Sequence, residues 1–315
     1  MNLLGTPVVP IQEEPVVRVP EAMKPRPARH PERWVGAIVI LVAVGFLGKA
    51  FLFSPNIKWD QVPQYLTRTT ILQGLGLTLI LSVVSQALGC SLGAVLAVMR
   101  LSPNPVFRTV SWSYIWFFRG TPLLLQIIFW FNMALIFPHI GTMDTNTIIN
   151  PLVAAILALS LNEASYMAEI VRAGIVSVDA GQLEAGASIG LTRGKTMRKI
   201  ILPQAMRAII PPSGNQFIGM LKNTSLVSVI AVRELMTSAS NIYATNYLVI
   251  ELLIVAAIWY LLVTALATMG QFYVERHFSQ GDRTRTLTPI QQLTRLARAA
   301  QPGSERASHY WKDQA

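Results

Sequence analysis

The chain has 315 residues, of which 52% are hydrophobic and 13% are charged, whereas soluble domains carry about 25% charged residues. This balance excludes an ordinary soluble domain and indicates a membrane protein. The net charge of +10 would also suit a nucleic-acid partner. However, if the N-terminus is placed in the cytoplasm, nearly all Lys and Arg lie on the cytoplasmic side of the membrane, as the positive-inside rule predicts. The positive charge is therefore explained by membrane topology, which excludes a nucleic-acid role.

The N-terminal residues 1–33 include seven prolines and few aromatic residues. Such a composition cannot bury enough apolar surface to fold alone, which predicts a disordered cytoplasmic tail. The basic residues 275–315 are predicted to form a second cytoplasmic tail. Its segment "IQQLTRLARAA" fits either a short amphipathic helix on the membrane surface or a solvated stretch.

Between the tails, long apolar runs with almost no charge are near or above the roughly 18 residues that cross a bilayer as a helix. They predict an all-α integral membrane protein with six transmembrane helices and both termini in the cytoplasm. The six runs are residues 34–53, 71–99, 121–137, 151–170, 212–232 and 248–269. The single cysteine, Cys90, excludes a disulfide within the chain.

Two short patterns in the first half predict local structure. Gly89 and Gly93 are four residues apart, a spacing that lets another membrane helix approach closely. The aromatic-rich residues 100–119 are typical of an interfacial segment. At the corner that follows, Thr121 is predicted to cap a helix and Pro122 to be its first residue.

The largest cytoplasmic loop, residues 173–207, contains the sequence "GLTRGKT". A phosphate-binding loop needs four residues between its glycines, but Gly190 and Gly194 enclose only three. The loop is instead predicted to form a helix over 179–189, a turn at Gly190, and a second helix that Thr192 caps and Pro203 ends. An ATP site in this chain is therefore excluded.

The sequence "EAGASIGLTRGKTMRKIILP" resembles the EAA motif of permease subunits of ATP-binding-cassette (ABC) importers. The matching residues are Glu184, Ala185, Gly190, Ile200, Leu202 and Pro203; Gly186 stands where Ala is usual. Three further segments, "FFRGTPLLLQ", "NEASYMAEIVRAGI" and "LKNTSLVSVI", are similar to segments of the polar amino acid (histidine/glutamine-type) permeases. Residues 173–207 are called the EAA loop below.

The resemblance implies a type I ABC importer permease fold over residues 70–274, in a bacterial inner membrane. The apolar run at 34–53, which lies outside the resemblance, is expected to be an additional N-terminal transmembrane helix. The resemblance also implies that the EAA loop forms a coupling helix on a separate ATPase subunit, which would bind ATP and Mg, so this chain would have no cofactor and would not be an enzyme. The implied partners are that ATPase, a second permease subunit (identical or a sister chain), an extracytoplasmic solute-binding protein, membrane lipid and a polar amino acid. The predicted coupling residues are Glu184, Ala185, Gly186, Gly190, Arg193, Ile200, Leu202 and Pro203.

Polar residues inside the predicted spans are the second set of candidates. A charge in hydrocarbon costs about 3 kcal/mol, so it should face the bundle interior or a water-filled path. The candidates for the substrate path are Arg119, Gly120, Thr121, Asn162, Glu163, Glu169, Lys222, Thr224 and Ser225. Glu163 and Lys222 are alternatively expected to form a structural ion pair. Glu251 and Lys49 lie near span ends, where they are expected to reach water.

Three alternatives stay open at this point. A self-contained secondary transporter or channel would use Glu163, Glu169 and Lys222 as ion or proton groups. An ABC permease for another small polar solute, such as an opine or cystine, would share the same motifs. A sensor that does not transport would have its function in the two tails.

Overall fold

The computed structural model describes residues 31–278, which fall into two units divided after Ile57. The first unit contains helix α1 (Pro31–Leu52), an apolar helix of 22 residues at the predicted first span. Of the two predicted tails, the structure describes residues 31–33 and 275–278. The rest of both tails, including the "IQQLTRLARAA" segment, lies outside the described residues.

The second unit is a bundle of helices with one short hairpin. Its helices are α2 (Gln61–Leu66), α3 (Thr69–Arg100), α4 (Pro105–Gly120), α5 (Leu123–Phe131), α6 (Thr145–Ile148), α7 (Pro151–Val176), α8 (Gly181–Ser188), α9 (Arg193–Thr196), α10 (Leu202–Asn223), α11 (Leu235–Asn246) and α12 (Val249–Phe278). The hairpin pairs β1 (His139–Ile140) with β2 (Met143–Asp144) in antiparallel register. Two 3-10 helices (Met133–Leu135 and Thr224–Ile230) and a π-helix (Met197–Ile201) complete the described chain.

The predicted helical membrane fold is confirmed, but the count of six spans is not. In the described residues, α1, α3, α7 and α12 are each long and apolar enough to cross a membrane. Helices α4 and α5 meet that requirement only together, and they are bent by 102° relative to each other. The described chain therefore offers four candidate spans, or five if the bent pair is one span.

The bend and a second break explain why two predicted spans differ from the structure. Thr121 is extended (φ −109°, ψ 140°), because the residue before a proline is disfavoured in the helical region. Helix α5 consequently begins at Leu123, after Pro122, and Thr121 is not its cap. The predicted span 212–232 is likewise divided at Thr224, where α10 passes into a 3-10 helix.

The centre of the bundle is the contact between α3 and α7. A β-carbon at Gly89 would lie 2.7 Å from the β-carbon of Glu163, and one at Gly93 would lie 2.6 Å from that of Met167. Real β-carbons do not approach other carbons so closely, so only glycine permits this spacing. The predicted close helix approach at Gly89 and Gly93 is confirmed, and it brings Glu163 into the bundle interior.

Candidate functional site

The EAA loop turns sharply at Gly190, as predicted. Gly190 has φ +76°, a left-handed conformation that glycine adopts without strain. The Leu191 N–H donates to the Gly186 carbonyl over 3.0 Å and the Gly190 N–H donates to the Ala187 carbonyl over 2.9 Å. These two bonds form a Schellman motif, which satisfies the last carbonyls of α8.

The second helix of the EAA loop does not end at Pro203, so that prediction is wrong. The chain passes from α9 into the π-helix Met197–Ile201 and directly into α10, with Pro203 in its first turn. Proline has no N–H and cannot close the usual bond to the residue four positions earlier. The wider π turn lies where that bond is missing. The EAA loop and α10 are therefore connected by continuous helical backbone.

Helix α8 packs against Thr196 through Gly186, and the sequence patterns did not indicate a role for Thr196. A β-carbon at Gly186 would lie 2.5 Å from Thr196 Cγ2 and 2.7 Å from its Oγ1. Both residues are buried. This contact gives a physical reason for glycine at a position where alanine is usual.

Most predicted coupling residues lie on the surface of the EAA loop. Glu184, Ala185, Gly190, Arg193, Leu202 and Pro203 are exposed, as are the nearby cations Lys195, Arg198 and Lys199. Ile189, at the end of α8, is 72% exposed. Ile200 is half-buried, and Gly186 is buried below the exposed residues of this surface. A partner that docks here would meet one carboxylate, several cations and an exposed isoleucine.

The path candidates cluster around a cavity of about 560 Å³, called the first cavity. It is lined by Arg119, Gly120 and Thr121 from the bend, by Asn162 and Glu163 from α7, and by residues of α10 and the turn after it. Gln216 and Asn223 of α10 were not predicted. The lining combines one cation, one carboxylate and several amides, so it suits a polar solute.

Glu163 does not pair with Lys222, so the expected ion pair is wrong for the chain as described. The Glu163 side chain is 5% exposed, and Gln86 Nε2 on α3 donates to its Oε1 over 3.2 Å. Lys222 is exposed and lines neither cavity. In residues 31–278 the ion pair on α7 joins Glu169 with Arg172, whose Nε lies 3.0 Å from Oε2.

Asn162 and Thr121 hold the bend between α4 and α5. Asn162 Nδ2 donates to the Phe118 carbonyl over 3.1 Å and to Gln126 Oε1 over 3.2 Å. Gln126 Nε2 in turn donates to Thr121 Oγ1 over 2.8 Å. Gln126 was missed, although a glutamine among the apolar residues of "LLLQIIFWF" could have indicated a buried partner.

A second cavity, of about 600 Å³, lies nearer the EAA loop. Its lining includes Glu169 of α7, Ser177 directly after α7, and Ala208 of α10. Arg119 and Tyr166 line this cavity as well as the first. The Arg119 guanidinium carbon lies 5.2 Å from the centre of the Tyr166 ring, within range of a cation–π interaction.

Thr224 and Ser225 line neither cavity. The Thr224 hydroxyl donates to the Leu221 carbonyl over 2.8 Å, and the Ser225 hydroxyl donates to the Lys222 carbonyl over 2.7 Å. Both hydroxyls therefore bond back to carbonyls in the last turn of α10, at its junction with the 3-10 helix. Both hydroxyls thus stabilise the helix terminus.

Two other buried carboxylates have structural contacts. Glu234, fully buried, caps α11 by accepting from the N–H groups of Met236 (2.9 Å) and Thr237 (2.7 Å), and the Tyr260 hydroxyl donates to it over 2.9 Å. Glu251 is 4% exposed and accepts from the Lys58 N–H over 2.8 Å. The expectation that Glu251 reaches water is therefore wrong.

Comparisons with known proteins agree with this geometry. Residues 89–280 match the family described as binding-protein-dependent transport system inner membrane component. The arginine transport system permease protein ArgU of Corynebacterium glutamicum is 43% identical over 293 residues, which are 90% of this chain and 92% of ArgU. The L-cystine transport system permease protein TcyB of Bacillus subtilis is 38% identical over 232 residues, which are 73% of this chain and 95% of TcyB.

A solved structure described as an amino acid ABC transporter with histidines has a TM-score of 0.63 and 35% identity, and the match covers 70% of this chain and 99% of that one. The predicted resemblance to ABC importer permeases is confirmed by these matches. This family implies ATPase and binding-protein partners. The chain belongs to the family of binding-protein-dependent transport system inner membrane components, as a membrane permease subunit that is not itself catalytic.

Proposed function

We propose that this chain forms the translocation path of an ATP-driven importer for a polar amino acid and receives the motion of a separate ATPase through its EAA loop. The relatives named for arginine and cystine transport support this substrate class. The ATP and Mg belong to the ATPase subunit. A second permease subunit completes the path, and an extracytoplasmic binding protein delivers the substrate.

One observation carries the proposal: the helical backbone runs without a break from the EAA loop into the wall of both cavities. Helix α10 supplies Ala208 and Pro212 to the second cavity and Gly219 and Asn223 to the first. A displacement of the EAA loop by a docked partner would therefore move a cavity wall. Such a rigid-body change switches access when ATP binds one state better than the other.

The charges that line the first cavity favour a zwitterionic substrate. Arg119 offers a guanidinium, which pairs well with a carboxylate, and Glu163 offers a carboxylate for an ammonium or guanidinium group. Amides of Asn162 and Gln216 can complete the hydrogen bonds. Lys222, Thr224 and Ser225 are no longer candidates for substrate contact, because their side chains lie outside this lining.

The orientation in the membrane is part of the proposal. The exposed cations of the EAA loop and the basic composition of the two tails support a cytoplasmic position for all three segments. The function is tested by uptake of radiolabelled L-arginine and L-cystine into proteoliposomes that hold the permease, its ATPase and its binding protein. ATP-dependent uptake of either is the expected result.

The control is the permease reconstituted alone under an ion gradient. Uptake by the chain alone would support a secondary transporter and contradict the proposal. Glu184→Lys and Gly190→Arg are expected to abolish ATP-driven uptake, because the first reverses a surface charge and the second places a bulky side chain at a left-handed turn. Normal uptake in both variants would separate the EAA loop from coupling.

A further inference from the structure

The two cavities share three lining residues, Arg119, Tyr166 and Gln216. Along α7, the first cavity uses residues 162, 163 and 166, and the second uses 166, 169 and 170 and continues to 177. The order on α10 is reversed: the second cavity uses residues 208 to 216, and the first uses 216 to 223. The cavities are therefore stacked end to end along these helices, and the shared residues lie at their boundary.

The boundary is formed by a contact between two elements. Arg119 is next to the last residue of α4, and its guanidinium lies over the ring of Tyr166 on α7 at 5.2 Å. The backbone beside Arg119 is held by the bond from Asn162 to the Phe118 carbonyl. The long Arg119 side chain is exposed, so it can leave the ring without moving its helix.

The carboxylates on the two sides of the boundary differ in whether they already have a charged partner. Glu169 lines the second cavity and is held by Arg172, with Nε–Oε distances of 3.1 and 3.0 Å. Glu163 lines the first cavity, and its contact with Gln86 is to a neutral amide. The carboxylate of a solute in the first cavity can compete with the Tyr166 ring for Arg119, because a guanidinium forms strong charge-assisted hydrogen bonds with a carboxylate.

We propose that Arg119 and Tyr166 form a partition that closes the first cavity from the second, and that the path opens toward the EAA loop when Arg119 leaves the Tyr166 ring. This inference rests on the proposed function, in which both cavities belong to one path. Tyr166 is a positioning residue in this scheme, because its ring holds the Arg119 cation across the path.

The partition is tested by thiol labelling in the whole complex, in membrane vesicles whose outer face carries the EAA loop. Cys90 is the chain's one cysteine, so Cys90→Ala gives a background without thiols in this subunit. Leu226→Cys then reports on the first cavity and Ala208→Cys on the second, since these residues line them. The probe is a membrane-impermeant sulfonatoethyl methanethiosulfonate added outside.

In the nucleotide-free complex, Tyr166→Leu is expected to speed labelling at position 226 by on the order of tenfold, because it removes the cation–π contact. Tyr166→Phe keeps the ring and is the matched control; its labelling rate should stay near that of the parent. Labelling at position 208 should be the same in all three, which shows that the bundle is intact.

Arg119→Met removes the cation and keeps the ring, and it should increase the labelling rate at position 226 by the same factor. If Tyr166→Leu also alters labelling at position 208, the result for Arg119→Met is the one that tests the partition. Equal labelling at position 226 in the parent and in Arg119→Met would overturn the partition. Labelling requires no transport, so this result is independent of the L-arginine and L-cystine uptake that tests the proposed function.

Discussion

Gly186 packs directly against Thr196, so closely that a β-carbon at position 186 would lie 2.5 Å from Thr196 Cγ2. This contact joins α8, which carries Glu184, to the helical segment that continues into α10. The orientation of the exposed surface of the EAA loop therefore depends on the close fit of the Thr196 side chain against the backbone at Gly186.

We expect Gly186→Ala to lower the amount of substrate transported per ATP by about fivefold, the equivalent of about 1 kcal/mol of overpacking. The added methyl group would push α8 away from Thr196 and tilt the docking surface. Parallel measurement of ATP hydrolysis and of L-arginine or L-cystine uptake in the reconstituted complex gives this ratio. Gly194→Ala is the matched control, because nothing lies within 4 Å of a β-carbon there. The double change Gly186→Ala with Thr196→Ala should recover the ratio, and failure to do so would count against the packing explanation.

Gly89→Ala should destabilise the bundle by about 1–3 kcal/mol, because overpacking forces neighbouring groups apart. Its β-carbon would meet Glu163 at 2.7 Å. Thermal unfolding of the purified permease in detergent measures the effect. Gly76→Ala, also on α3 but with open space around its β-carbon, should be neutral or slightly stabilising. Equal melting temperatures for the two variants would contradict a tight contact between α3 and α7.

Glu163→Gln is expected to reduce uptake by on the order of tenfold, because it removes the one carboxylate of the first cavity while keeping the shape of the side chain. Lys222→Met should transport normally, since Lys222 is exposed and lines neither cavity. Uptake of L-arginine, with the amount of folded permease measured in the same vesicles, compares them. Equal loss in both variants would instead favour a functional link between the two residues.

Glu234→Ala should lower the free energy of unfolding by about 1–2 kcal/mol, the usual effect of losing a helix cap. The change removes the acceptor for the N–H groups of Met236 and Thr237. Tyr260→Phe removes a single donor to the same carboxylate and should have a smaller effect, about 1 kcal/mol. Thermal unfolding of both variants checks this order, and a larger effect of Tyr260→Phe would show that the cap is not the main contact.

The sequence predicted the features that depend on local patterns. Apolar runs located the long helices, the spacing of Gly89 and Gly93 predicted a close helix contact, and Gly190 marked the turn of the EAA loop. Each of these signals follows from backbone geometry or from burial in the bilayer. For this reason they could be read without knowledge of the tertiary contacts.

Features that depend on partners distant in the sequence were missed. Tyr166 and Gln126 have neighbours that only the folded bundle provides. The same limit explains the error for Glu163, whose partner is Gln86, 77 positions away, and not Lys222. Pro203 was misjudged for another reason: a proline stops a regular α-helix, but the π-helix before it lets the chain continue.

The π-helix also determines the angle, around the helix axis, between the side that meets the EAA surface and the side that lines the cavities. Each residue of an α-helix advances the chain by about 100° around the axis, and a π turn contains roughly one residue more than an α turn. Met197–Ile201 thus sets the angle between the side of the helix that meets the EAA surface and the side that lines the cavities. Removal of one residue from this segment would leave both surfaces intact in composition but would rotate one against the other by roughly a quarter of a turn. In the proposed coupling, this one residue would determine the direction in which a push on the EAA loop displaces the cavity wall.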